Sequence, residues 1–448
     1  MTSTKPMDKS SLFVIAAALS SSVFAMPEFW LPEHIYAAPG LECNVYFGET
    51  FFSVTPWNFA IQASAEKGKS QVERWTYTPA PGDAGKSFQL VLNAWTDAGL
   101  AASATATVHV AAAPTKREAR LTLALFSDSL TNCRWQDRLY EVMQERGFTG
   151  YTPVGARQSE NPKVMYDGYG GYTFNTFLER YRFSDEEVDN IQDAAEREQM
   201  LGLGQPEKIV HAWQRALLRS PLVRLENGKK VVDVGAWKRK VNGGADPDVV
   251  LILLGCNSCF SLSGEEAELR RHIAENVMPQ AQKFLDTLRA ACPTSRYFFM
   301  NELKGSSQDG FAANYGAKWN RVQFTKIILA LDKEIKAFVD RQADPQVGFV
   351  PFAHGIDPDT SFFKKTEPIN AHSKEKRTRD CNAVHCAAVG GLQLGDTVAA
   401  WLLNDWDKLV ADAAAIEAKF GGEPLKIEDC RVSAMPLNTR VKREGDVK

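Results

Sequence analysis

A serine hydroxyl attacks an acyl carbon only when a base takes its proton and hydrogen-bond donors await the oxyanion. One set of residues in this 448-residue chain has the types for that work. Ser129 stands in the polar turn Ser127-Asp128-Ser129, which closes an apolar run at residues 121–126. Residues 166–173 read YDGYGGYT, where Gly171 can bring a backbone N–H close to a ligand. Asn257 lies in GCNSC, directly after the apolar run 248–254, and carries a side-chain amide. His385 lies in NAVHC, residues 382–386, and is the right type of base. Singly, each has a plain structural reading: turn serine, loop glycine, strand-end asparagine, core histidine. Together they point to acyl transfer, with the Ser129 and Gly171 N–H groups and the Asn257 amide around the oxyanion.

These residues must be carried by elements that bring them together. The run 121–126 reads as a buried strand, followed by a helix with Trp135, Leu139, Val142 and Met143 at helical spacing. Strands are further expected at 248–254, 296–300 and 347–351, and helices at 265–291, 323–342 and 390–406, with Leu392, Val398 and Leu402 among the apolar positions of the last. Strands alternating with helices predict a parallel sheet covered on both faces, and ligand sites in such sheets form beyond the carboxyl ends of the strands. Ser129, Gly171 and Asn257 all follow such runs, and His385 arrives on a late loop.

The rest of the chain is different in kind. Residues 1–25 have Lys5 and Lys9, an apolar core LFVIAAAL and a small-residue end, the pattern of a secretory leader, which implies a periplasmic or extracellular protein. Residues 26–114 alternate short runs (44–47, 57–63, 74–78, 88–94, 104–110) with turn clusters, which predicts a small all-β sandwich. Residues 111–116 read as a linker, 115–410 as the α/β domain and 411–448 as a C-terminal helix and tail, with a charged helical insertion at 185–200. Net charge is −3, which gives no basic field for nucleic acid, and no apolar run is long enough for a transmembrane segment.

The four blocks resemble a known family. FSDSLTN resembles the nucleophile block of the SGNH hydrolases, YDGYGGYT their glycine block, GCNS their G-x-N-D block and NAVH their D-x-x-H block, in family order. The resemblance implies a three-layer α/β/α, flavodoxin-like domain that hydrolyses esters through an acyl-enzyme, with no metal or cofactor. It makes Ser129 the nucleophile, Gly171 and Asn257 oxyanion donors and His385 the base. A leader and a β-domain ahead of the hydrolase look like secreted bacterial members that deacetylate polysaccharides, so an acylated oligo- or polysaccharide is the implied substrate.

Three positions depart from the family pattern. Ser127 replaces a glycine, Ser258 an aspartate, and Asn382 the aspartate three before His385. An amide does not stabilise an imidazolium as a carboxylate does; in the serine-protease example Asp→Asn lowers turnover by about 10⁴. Either Asp380, two positions off that spacing, orients His385, or the site is a Ser-His dyad held by a backbone carbonyl. A dyad predicts that Asn382→Ala keeps most of its activity. A second reading is a carbohydrate-binding protein that has the fold without catalysis, with Trp57, Trp75 and Trp95 as sugar-stacking faces or as core. Tyr166, Tyr169, Tyr172 and Phe174 offer aromatic faces near Gly171, and Asn314, Tyr315 and Arg321 a polar loop. Cys256-x-x-Cys259 with Cys133, Cys381, His385 and Cys386 permits a zinc drawing, but the spacing is not a paired framework, and bridges are the commoner use in an exported protein.

Overall fold

A computed structural model describes residues 27–179, 220–227 and 229–420, so the expected leader, the expected helical insertion at 185–200 and the expected tail beyond 420 lie outside it. Buried apolar residues on alternate strand positions build the larger part. The central sheet runs in the order Arg157–Gln158, Met165–Gly168, Leu121–Ser127, Val249–Leu253, Arg296–Met300, Val347–Val350. Tyr151–Val154 also pairs with the first half of Leu121–Ser127, and every pairing is parallel except that of Arg157–Gln158. Leu121, Leu123 and Leu125 face one apolar cluster, with Val249, Leu251 and Leu253. Ala124 and Phe126 face the other, with Val250 and Ile252. Helices Trp135–Glu145 and Ala388–Phe420 cover the first face. Val234–Asn242, Glu266–Asn276, Met278–Ala291 and Arg321–Gln342 cover the second. Leu121–Ser127 lies between Met165–Gly168 and Val249–Leu253, both later in the chain, and so ends at the switch in strand order where such sheets leave a crevice.

Two helices depart from the sequence expectation. The stretch 265–291 is broken at Val277, because Pro279 has no N–H to continue the ladder and opens a new helix instead. The closing helix is one element of 33 residues, Ala388–Phe420, so the expected division between 410 and 411 falls inside it. Val398 and Leu402 are buried in it, whereas Leu392 is 47% exposed. A Cβ on Gly391 would lie 1.8 Å from the Cys133 carbonyl oxygen. The missing side chain therefore lets this helix lie directly on the segment after Ser129. Two antiparallel hairpins, Val223–Glu226 with Lys229–Val232 and Lys364–Pro368 with Lys376–Asp380, had no alternation strong enough to reveal them.

Ahead of this domain, two sheets share one core. The first has the order His34–Ala37, Gly99–Val110, Ser87–Thr96, Ala60–Ala65, and the second Cys43–Tyr46, Arg74–Tyr77, Lys69–Ser70. Ile35, Val45, Trp75, Leu90, Leu92 and Val108 meet between them. The expected run 57–63 is split, since Pro56 opens a 3₁₀ turn through Asn58 before the strand starts at Ala60. Trp75 is core, its Nε1 donating to the Lys67 carbonyl at 3.1 Å, whereas Trp57 is 77% exposed. The segment 111–116 is not a free linker. Asp407 of the closing helix accepts from Thr115 N, Thr115 Oγ1 and Lys116 N, and Trp406 Nε1 donates to the Lys116 carbonyl at 2.8 Å.

The two parts meet through buried hydrogen bonds that join Glu49 and Phe51 to Lys304. Glu49 and Lys304 are 3% and 4% exposed. Glu49 Oε2 accepts from Lys304 N at 3.1 Å, and Lys304 Nζ donates to the Phe51 carbonyl at 2.6 Å. The N-terminal part thus holds the loop that follows the strand Arg296–Met300.

Candidate active site

The carboxyl ends of four neighbouring strands, with one late loop, enclose a cavity of about 340 Å³. Ser129, Gly171, Asn257 and His385 all line it, so four segments far apart in sequence converge. Glu302, Tyr315, Phe260, Phe324, Leu303 and Val384 also line it. Among the described residues that line it there is no lysine or arginine.

The turn that carries Ser129 is built by Asp128. Its carboxylate caps the one-turn 3₁₀ helix Ser129–Cys133, with Oδ1 accepting from Leu130 N at 2.9 Å. Asp128 Oδ2 accepts from Asn257 Nδ2 at 2.8 Å. Burial pushes the Asp128 carboxyl up to about 7. Ser127 is fully buried and accommodates its Cβ, since it ends the strand without entering the left-handed region. The glycine block closes against this turn. A Cβ on Gly168 would meet Thr131 at 2.2–2.8 Å, so only glycine lets the two loops touch. Gly171, exposed and at φ +74°, then turns the chain at the cavity wall.

Asn257 stands in the one-turn helix Cys256–Cys259. Its second Nδ2 hydrogen reaches the Tyr172 carbonyl at 3.2 Å, so both amide hydrogens already have acceptors. Ser258, at the position where the resemblance expects an aspartate, has a buried Oγ without a hydrogen-bond partner.

His385 is held by its own backbone. Asn382 Oδ1 accepts from Val384 N at 3.1 Å and from His385 N at 2.9 Å. Asn314 Oδ1 accepts from Ala383 N at 2.6 Å, and Ser306 Oγ donates to the Asn382 carbonyl at 2.7 Å. Asn382 therefore orients the loop rather than the imidazole. Asp380 is engaged elsewhere, accepting from Lys364 Nζ at 2.6 Å and from Ser307 N at 3.0 Å. The imidazole Nε2 is buried and makes no hydrogen bond among the described residues. Burial alone lowers the His385 pKa, which keeps the ring neutral, with a free lone pair, at neutral pH.

Other expected residues fall as follows. Tyr166, Tyr169, Tyr172 and Phe174 are buried, with Tyr169 and Tyr172 stacked at 4.7 Å, so these rings are core and present no faces to a sugar. Asn314 props the histidine loop, Tyr315 lines the cavity, and Arg321 lines a separate groove with Trp57. Cys386 N donates to Cys133 Sγ at 3.1 Å, which ties the residue after His385 to the segment that carries Ser129. All seven described cysteines are free thiols. Among the described residues no group of three or more His, Cys, Asp or Glu is arranged to hold a metal.

Glu302 is the site residue that sequence reasoning missed. It is 1% exposed and lies two residues past the strand Arg296–Met300. The rule that singled out Ser129 and Asn257, position just beyond a strand's carboxyl end, applies to it equally.

No family model and no curated protein matches this sequence. Solved structures give distant likenesses. A carbohydrate esterase family 2 enzyme with a carbohydrate-binding domain from Corynascus thermopiles (Myceliophthora fergusii) is 14% identical, with 81% of this chain and 87% of that chain covered and a TM-score of 0.29. A family two carbohydrate esterase from Clostridium thermocellum, in complex with cellohexaose, is 12% identical over 83% and 94%, with a TM-score of 0.32. A GDSL-like lipase from Parabacteroides merdae is 13% identical over 65% and 97%, at 0.30. At those TM-scores the likeness carries no weight for the reaction, which has to be read from the site's own residues.

Proposed function

We propose that this chain is a secreted serine esterase that removes short acyl groups, acetyl above all, from carbohydrate through an acyl-enzyme. The observation that carries this reading is the convergence of Ser129, Gly171, Asn257 and His385 on one cavity of about 340 Å³. In this reading His385 Nε2 takes the Ser129 Oγ proton as Oγ bonds to the acyl carbon. The developing oxyanion accepts from the Ser129 and Gly171 N–H groups and from Asn257 Nδ2, which gives up its longer contact to Tyr172. The imidazolium returns its proton to the departing alcohol, and a water activated by His385 then cleaves the acyl-enzyme. The pair works as a dyad, since Asn382 and Asp380 are engaged elsewhere. Leu303, Val384 and Phe260 would bound the acyl group and keep it short. Export by residues 1–25, and a β-sandwich of immunoglobulin type that braces the Lys304 loop, complete the reading.

The second reading is a carbohydrate-binding protein of the same fold without catalysis. One observation favours it: both Asn257 amide hydrogens already have acceptors. A panel of esters, from p-nitrophenyl acetate to longer acyls and acetylated oligosaccharides, with Ser129→Ala as control, separates the two. Turnover of short esters that Ser129→Ala abolishes supports the esterase. Glycan binding without turnover supports the alternative, and a preference for long acyl chains removes the carbohydrate reading.

A further inference from the structure

Glu302 lines the same cavity as Ser129, Asn257 and His385, yet the reaction as written makes no use of it. One of its oxygens is occupied: Oε1 accepts from Cys256 N at 3.3 Å. The other, Oε2, is buried and has no hydrogen-bond partner. Its neighbours explain why it stays that way. Asp332 Oδ1 accepts from Glu302 N at 2.9 Å and its Oδ2 from Asn301 Nδ2 at 3.4 Å. Asp128 is occupied by Leu130 N and Asn257 Nδ2. The groups around Glu302 are thus two carboxyls and the thiols of Cys256 and Cys259, with His385 and Tyr315 sharing the cavity wall. The one cation next in sequence, Lys304, sends its Nζ to Phe51 on the far part of the chain. A carboxylate there would be desolvated and repelled from two sides. A protonated carboxyl has a hydroxyl to give and an oxygen to receive, which fits one accepted bond and one free Oε2.

We infer that Glu302 is a substrate-binding residue that acts as a neutral carboxylic acid, its Oε2 hydroxyl donating a hydrogen bond to an acceptor oxygen of an uncharged ester held beside Ser129. The inference deepens the esterase reading and rests on it. Burial first, then Asp128 and Asp332, raises the Glu302 pKa well above the ordinary value, in agreement with this geometry. A substrate carrying its own carboxylate at this point would meet acidic groups and no cation, so the site selects neutral esters.

The experiment compares wild type, Glu302→Gln and Glu302→Leu on a neutral acetyl ester across pH. Glutamine keeps an acceptor for Cys256 N and a donor for substrate, and leucine has neither. The donor is present below the folded pKa of Glu302 and lost as pH rises through it. Wild-type kcat/KM is expected to fall on that alkaline limb, Glu302→Gln to keep its rate without the limb, and Glu302→Leu to lose about tenfold, the size of one hydrogen bond. Glu302→Gln losing as much as Glu302→Leu, or showing the wild-type limb unchanged, overturns the inference. Equal turnover of matched neutral and carboxylate-bearing acetyl esters overturns its uncharged-substrate half. An infrared spectrum of wild type minus that of Glu302→Gln at neutral pH adds a readout independent of turnover: a protonated-carboxyl band in that difference, over and above those of Asp128 and Asp332 common to both, supports the neutral acid, and a carboxylate band in its place overturns it. A wild type that shows the band but hydrolyses no ester fails the esterase reading instead.

Discussion

Asn382 decides how the base is held, and its substitution gives the sharpest contrast between two accounts. The side chain accepts from two backbone groups, Val384 N at 3.1 Å and His385 N at 2.9 Å, in a half-buried loop. Each bond has a net worth of about 0.5–1.5 kcal/mol, so Asn382→Ala loses about 1–3 kcal/mol of loop order. If all of that is felt as misplacement of His385, kcat/KM falls about 5- to 150-fold, since about 1.4 kcal/mol is a factor of ten. Activity little changed, as a simple dyad would give, is therefore not the expectation here. Asn382→Asp keeps both bonds, because a carboxylate oxygen accepts as the amide oxygen does, and is expected to hold most of the wild-type rate. The acid limb of the pH–rate profile should stay in place in Asn382→Ala, since burial and not a charged partner sets the His385 pKa, and should move to higher pH in Asn382→Asp, which adds a carboxylate beside the ring. Steady-state kinetics on p-nitrophenyl acetate from pH 4 to 9, with melting temperatures for each variant, make the comparison. A loss of about 10⁴ in Asn382→Ala at unchanged melting temperature would refute the reasoning. It would show that Asn382 acts on the imidazole as the triad carboxylate does.

Other outcomes follow from contacts elsewhere. Lys304→Met leaves the buried Phe51 carbonyl without its donor and is expected to cost about 1–3 kcal/mol, read as a lower denaturation midpoint; an unchanged midpoint would contradict it. Gly168→Ala drives a Cβ into Thr131 and should lower both the melting temperature and the turnover, and unchanged values would refute that contact. Burial raises the Asp167 pKa from 3.8 to about 6, so its contribution to stability is full below the unfolded value and lost as pH rises through the folded one. Wild type should therefore lose up to about 3 kcal/mol relative to Asp167→Asn between pH 4 and 7, measured by denaturant unfolding of both; parallel curves would contradict it.

The strands were legible because they are buried on both faces. Residues 121–126 and 248–254 read as unbroken apolar runs, and they became Leu121–Ser127 and Val249–Leu253. Ser129, Gly171, Asn257 and His385 were legible as polar residues next to such runs, and one cavity receives them all. Contacts that join distant parts of the chain left no local trace. The Glu49–Lys304 hydrogen bond spans 255 positions, and it is the fold that buries both residues. Asn382 looked like a defective carboxylate because spacing shows which residue is present and not which atom it reaches. The tyrosines around Gly171 read equally as core or sugar faces, and only packing decided for core.

The central claim is that Ser129 is an activated nucleophile, and covalent labelling tests it most directly. The folded chain, treated with a fluorophosphonate probe and mapped by peptide mass spectrometry, is expected to carry one label on Ser129, with labelling abolished in Ser129→Ala and strongly slowed in His385→Ala. A folded wild type that takes no label, or takes it elsewhere, would contradict the account and leave the cavity a binding site.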